Sequence, residues 1–330
     1  MTLKNNNKRS LLITLTIKVI VFALLVLALY KQLFHSDVLR NKDITGRLGE
    51  IAAGNSVLYL FLLFILMIVN WSIEAYKWKL LIRKLNPIRF IRSFKAVWTG
   101  VTLGLFTPNR IGEFGGRILY VPKKFRIRAI VVSLIGSFSQ NTATFIIGLL
   151  SLLIFIRRFN SFHELIFGII ILISIIALIL LLFAYYNFEM VANVFKKVRI
   201  LKRIRPYVDA LKLYTSGDYT RLLALSAVRY LVYTAQYLIF LNLFGATLNV
   251  TEGITAIGVI YLAQTVIPTF AIAEVLTRGS IATQVLEFYG VDGFIALAAS
   301  TCLWLLNLIV PAALGYIFIL RYNFFKNKQS

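Results

Sequence analysis

Between Leu165 and Tyr186 the chain runs for 22 residues without one charged side chain. About 20 such residues are what a helix needs to cross a hydrocarbon layer of roughly 30 Å. A helix that is apolar all round belongs in a membrane or in the core of a large protein. Leu11–Tyr30, Ala129–Ile156, Leu222–Phe244 and Phe294–Leu320 are runs of the same kind. Val57–Ala75 is a sixth, with Asn70, Trp71 and Glu74 near its end. Six runs in 330 residues leave no room for a separate soluble domain. The chain reads as one membrane domain, residues 1–330, of all-α polytopic class.

Charge then orients it. Lys and Arg number 36 against 13 acidic residues, a net charge of +23, yet only 15% of residues are charged and 59% are hydrophobic. Soluble domains carry about 25% charged residues, and disorder requires low hydrophobicity. A soluble nucleic-acid binder is excluded by the apolar runs. With six crossings and both termini in the cytoplasm, the inner segments hold 27 cationic and 5 acidic residues, and the outer segments hold 7 and 8. Lys18 and Arg229 fall within spans. A net +22 inside against −1 outside is a strong positive-inside bias. Lys4, Lys8 and Arg9 resemble the basic start of a signal peptide. The apolar run behind them is too long and lacks a small-residue cleavage site, so it reads as an uncleaved first span.

Two places do not fit a simple crossing. Ala96–Thr107 has 12 residues, roughly 18 Å of helix, and ends at Pro108. Were it to cross, six cations between Arg110 and Arg128 would face outward. Gly253–Ile267 ends at Pro268, and the following Val275–Tyr289 is interrupted by Arg278, Gly279 and Glu287. Both places are expected to be re-entrant helical hairpins. One spans 96–128, within a first half 1–156, and dips from the cytoplasm. The other spans 253–292, within a second half 157–330, and dips from outside. Ala96–Pro108 and Ala256–Pro268 are each 13 residues from Ala to Pro, and each is followed by Glu-x-x-x-Arg, Glu113/Arg117 and Glu274/Arg278. This suggests an inverted repeat, a recurrent transporter design in which broken helices meet near the midplane.

The candidate binding residues cluster at these breaks. Arg110, Glu113 and Arg117 form either a polar clamp suited to phosphate or a structural ion pair. Glu274 and Arg278 are the matching pair. Pro108 and Pro268 end their helices, and Gly112, with Gly115 and Gly116, permits a tight turn. Arg229 either snorkels to the cytoplasmic face or lines a cavity; Lys18 reads as snorkelling. Gln140 and Asn141 read as helix glue, and Trp71 and Trp98 as interfacial anchors. The stretch Lys196–Arg205 either lies on anionic lipid or sets topology. Catalytic signatures are missing. Cys302 is the one cysteine, His35 and His163 lie far apart, and all five aspartates fall in loops. No zinc-protease, phosphate-loop or hydrolase-elbow motif occurs. No enzyme activity, metal or cofactor is expected.

Pro108, Arg110, Gly112 and Glu113 follow the Pro-Gly-Arg-x-Gly-Glu pattern of a known family, with Asn109 in place of the glycine. Ile267–Glu274 and Arg278-Gly279 are similar to its second motif, with Ala271 and Ala273 replacing glycines. The chain thus resembles the transmembrane region of lysylphosphatidylglycerol synthases, a flippase-like family, over nearly its whole length. The resemblance implies lipid handling without the soluble aminoacyl-transferase domain that follows in multiple peptide resistance factors. The expected function is translocation of a phospholipid or glycolipid between leaflets of the bacterial inner membrane. Expected partners are membrane lipids, either anionic phospholipid or lipid-linked saccharide, and not nucleic acid. Two rivals stand beside it: a secondary transporter of a small solute, and a non-transporting partner of a cell-envelope glycosyltransferase.

Overall fold

The computed structural model describes residues 56–105, 107, 110–159, 163–195, 205–267 and 273–321. The expected first span Leu11–Tyr30, Lys18, both break prolines Pro108 and Pro268, and most of the basic stretch after Phe195 lie outside these residues, as does the Glu274 side chain. Every regular element among the described residues is helical. In chain order these are α1 (Ser56–Ile82), α2 (Phe90–Gly104), α3 (Gly112–Ile118), α4 (Arg126–Phe159), α5 (Glu164–Tyr186), α6 (Phe188–Phe195), α7 (Arg205–Val208), α8 (Ser216–Leu243), α9 (Val250–Val266), α10 (Ala273–Glu287), α11 (Gly293–Trp304) and α12 (Val310–Arg321). A π-helical turn, Leu305–Ile309, joins α11 to α12.

Among the described residues, five stretches are long and apolar enough to cross a membrane: Val57–Ile82, Lys123–Phe159, Glu164–Tyr186, Ser216–Leu243 and Gly293–Leu320. The protein is an integral membrane protein. α5 carries the signature most plainly, since Ile173, Ile179 and Leu180 are each about 60% exposed. In water such a surface would drive aggregation; in lipid it is the solvated face. The expected span Val57–Ala75 was too short. Its helix runs on to Ile82, carrying Glu74 and Lys77 inward, because those charges find partners within the bundle and do not need to leave the helix.

The helix starts are fixed locally. Asp292 accepts hydrogen bonds from the backbone N–H groups of Phe294 (2.8 Å) and Ile295 (3.4 Å). Asn249 with Glu252, and Thr215 with Asp218, form capping boxes at α9 and α8.

Both short stretches are hairpins of paired helices. α2 lies against α3, and a Cβ added at Gly116 would stand 2.5 Å from the Gly100 Cα, so the two backbones touch. α2 also packs on α12, where Thr102 Oγ1 donates to the Ala312 carbonyl at 2.8 Å. α9 runs beside α4, in contact through Gly148 and Leu262. α10 packs back on α9 and on α11. The two hairpins differ in build. The arm after the first break has 7 residues, and the arm after the second has 15.

Candidate functional site

Asn70, Trp71, Glu74 and Lys77 sit at helical spacing on one face of α1, which points into the bundle. Glu74 is the hub. Its Oε1 accepts from Arg117 Nη2 at 2.9 Å, and its Oε2 meets Arg229 Nη1 at 3.1 Å and Lys77 Nζ at 3.3 Å. Glu113 extends the chain of charges, with Oε2 3.2 Å from Arg117 and Oε1 2.9 Å from Arg110. Glu74 is 6% exposed, Lys77 1%, Arg117 5% and Arg229 9%. Ions so enclosed persist only when paired and hydrogen-bonded, since each leaves its hydration behind.

The Arg117–Glu113 pair expected from i,i+4 spacing is therefore present, but it is one edge of a larger network. Arg229 lines the interior and does not snorkel. Its Nε donates to Asn70 Oδ1 at 2.7 Å, and its guanidinium lies 5.0 Å from the Trp71 ring and 5.4 Å from the Tyr233 ring. Arg110 sits at the turn between α2 and α3 with φ +57°, a left-handed conformation uncommon for a residue with a Cβ. Gly112 N donates to Thr107 Oγ1 at 2.7 Å and closes that turn.

A break in α11–α12 completes the wall. Pro311 has no N–H to offer the carbonyl of Asn307, four residues back. Trp71 Nε1 donates to that carbonyl instead, at 3.0 Å, while Asn70 Nδ2 donates to the Asn307 side chain at 3.1 Å. Trp71 and Trp98 are thus not interfacial anchors. Both are buried, and Trp98 stacks between Phe94 and Phe318.

Beside this network lies a cavity of about 270 Å³. Arg110 from the first hairpin, Arg278 from the second and Arg229 from α8 all line it. The amides of Gln140, Asn141, Gln264 and Asn307 and the rings of Tyr230, Tyr233, Tyr237, Tyr261 and Trp304 make up most of the remaining wall. Among the described side chains no carboxylate lines it. Gln140 does more than glue helices. It faces the cavity, accepts from Lys77 Nζ at 3.3 Å and donates to the Ser226 carbonyl at 3.3 Å.

The arrangement can desolvate an anion and hold it with charged donors from two helices and one interhelical turn. Residue-by-residue reading missed Glu74 and Lys77, which look like charges at a span's end. The available signal was the spacing Asn70, Glu74, Lys77, which puts three polar groups on one face of an apolar helix. Among the described residues no cluster of three His, Cys, Asp or Glu side chains offers a metal site.

A family model described as the lysylphosphatidylglycerol synthase transmembrane region matches residues 11–315. No curated protein and no solved structure matches the chain.

Proposed function

The chain belongs to the lysylphosphatidylglycerol synthase transmembrane family, a membrane family linked to lipid handling, and from that membership we propose that it moves a phospholipid or glycolipid between leaflets of the bacterial cytoplasmic membrane. The observation that carries this reading is the meeting of Arg110, Arg229 and Arg278 around one cavity. Charged residues at membrane depth are costly and mark substrate paths. The volume suits a headgroup, being just under the roughly 300–1,000 Å³ of drug-sized pockets, so the acyl chains stay in lipid. In this reading the two hairpins are re-entrant from opposite sides, related as an inverted repeat, and the termini are cytoplasmic. Alternate opening at the two breaks exposes the headgroup to each leaflet in turn. The role is binding and passage, without bond making or breaking.

The test is leaflet exchange of fluorescent phospholipid in proteoliposomes. Wild-type protein exchanges lipid above the protein-free rate. Glu113→Gln, which removes the carboxylate beside Arg110 and Arg117, and Glu274→Gln lower it at least tenfold while the protein stays folded. Normal exchange in both variants would remove the hairpin breaks from the site. Solute uptake without lipid dependence would favour a solute transporter instead.

A further inference from the structure

Resting on the reading that the cavity receives a lipid headgroup, we propose that this headgroup carries a sugar or cyclitol ring, held through its hydroxyls by the uncharged wall of the cavity.

Tyr230 and Tyr237 of α8, Tyr261 of α9 and Trp304 of α11 bring four aromatic rings to this one cavity. The tyrosines brace one another. Tyr261 stands edge-on to Tyr230 with ring centres 5.5 Å apart, and lies 6.1 Å from Tyr237. Rigid aromatic side chains give a large contact area at low entropy cost. The C–H faces of a saturated ring can pack on them while its hydroxyls point outward. Aromatic rings also attract cations, but here that role is filled from within the protein. The Arg229 guanidinium lies 5.0 Å from the Trp71 ring and 5.4 Å from the Tyr233 ring. A choline or aminoacyl headgroup would bring a second cation next to it.

The polar groups of this wall call for both kinds of hydrogen bond. Trp304 is 5% exposed, and its Nε1 has no hydrogen-bond partner among the described residues. An indole N–H can only donate, so the ligand must accept there. Asn141 and Gln264 line the same cavity, and among the described residues no hydrogen bond engages either side-chain amide. An amide both donates and accepts. A phosphate ester offers acceptors alone and an ammonium donors alone, whereas each ring hydroxyl does both.

Leaflet exchange in proteoliposomes tests the assignment, using lipids with identical fluorescent tails in two pairs of equal headgroup charge. Phosphatidylinositol is set against phosphatidylethanol, and glucosyl diacylglycerol against phosphatidylcholine, each corrected for protein-free vesicles. In at least one pair the ring-bearing lipid is expected to exchange roughly tenfold faster than its partner. Trp304→Phe keeps an aromatic ring and removes the donor; Gln264→Leu removes the amide at similar size. Each narrows that ratio roughly fivefold, with melting curves showing a folded protein. Ratios near one in both pairs overturn this inference and leave lipid translocation standing, as does a large ratio that neither folded variant changes. Uptake of free myo-inositol or glucose without lipid exchange overturns the translocator reading and keeps the ring site. Absence of both exchange and uptake overturns both.

Discussion

Glu74 and Arg117 stand 43 positions apart and meet at 2.9 Å, carboxylate to guanidinium, with both side chains under 10% exposed. This contact ties α3, the short arm of the first hairpin, to the long helix α1. Arg229 reaches the same carboxylate from α8. One acidic residue thus fixes three elements. Replacing it with a neutral amide leaves Lys77, Arg117 and Arg229 without their shared counter-ion. Glu74→Gln is expected to destabilise the protein by about 3–5 kcal/mol, read as a lowered apparent Tm in detergent. An unchanged Tm would mean the cluster does not hold these helices together.

The first hairpin offers an internal comparison. Gly116 abuts the Gly100 backbone, whereas a Cβ at Gly115 would meet nothing within 4 Å. Gly116→Ala is expected to cost about 1–3 kcal/mol by forcing the arms apart. Gly115→Ala should be neutral or stabilising by up to about 1 kcal/mol, through the entropy glycine loses in a helix. Thermal unfolding of the two variants side by side checks the pairing of α2 and α3.

Trp71 and Pro311 are coupled through a carbonyl. Trp71→Phe strands the Asn307 oxygen and is expected to cost about 1–3 kcal/mol. In a Pro311→Ala background the restored backbone N–H competes for the same oxygen, so the cost of Trp71→Phe should shrink. A double-mutant cycle measures the difference; strict additivity would show that the two groups do not share that carbonyl.

Tyr214, in the connection before α8, titrates against folding. Burial raises its pKa above the usual tyrosine value, and the neighbouring Asp218 and Tyr219 raise it further, against a lowering by Arg83. Its hydroxyl donates to the Leu81 carbonyl, which a phenolate cannot do. The folded state favours the neutral phenol, so its contribution is complete below the unfolded pKa of about 10 and is lost as pH rises beyond it. Apparent Tm should fall above pH 10, and less steeply in Tyr214→Phe. Equal slopes would assign the fall to other groups.

Arg278→Gln is expected to lower lipid exchange at least tenfold at a Tm that still reports a folded protein, since it lines the cavity. Arg157→Gln, which breaks an exposed pair with Glu164, should alter neither beyond about 1 kcal/mol in stability. Exchange rates and melting curves on the same preparations separate the two.

Much of the architecture was legible in the residue order. Hydropathy located the long helices, and Pro108 and Pro268 marked the two places where apolar stretches stop short. Arg110, Arg117, Arg229 and Arg278 stood out because a charge near membrane depth is rare. What hydropathy did not supply was partnership. Glu74 and Lys77 looked like the polar end of a span, because nothing local distinguishes a charge entering the headgroup region from one turned into the bundle. Gln140 looked like glue, and Trp71 like an anchor, for the same reason.

The sequence alone determined that this chain is an all-helical membrane protein interrupted at two points. That follows from the length and polarity of consecutive residues, which the bilayer reads locally. Only the tertiary structure decided that Glu74 is the counter-ion of three cations, and that Arg110, Arg229 and Arg278 share one cavity. Those relationships join residues far apart in the chain, such as Glu74 and Arg229, 155 positions from one another. They exist because buried charges must find one another wherever the packing of helices brings them.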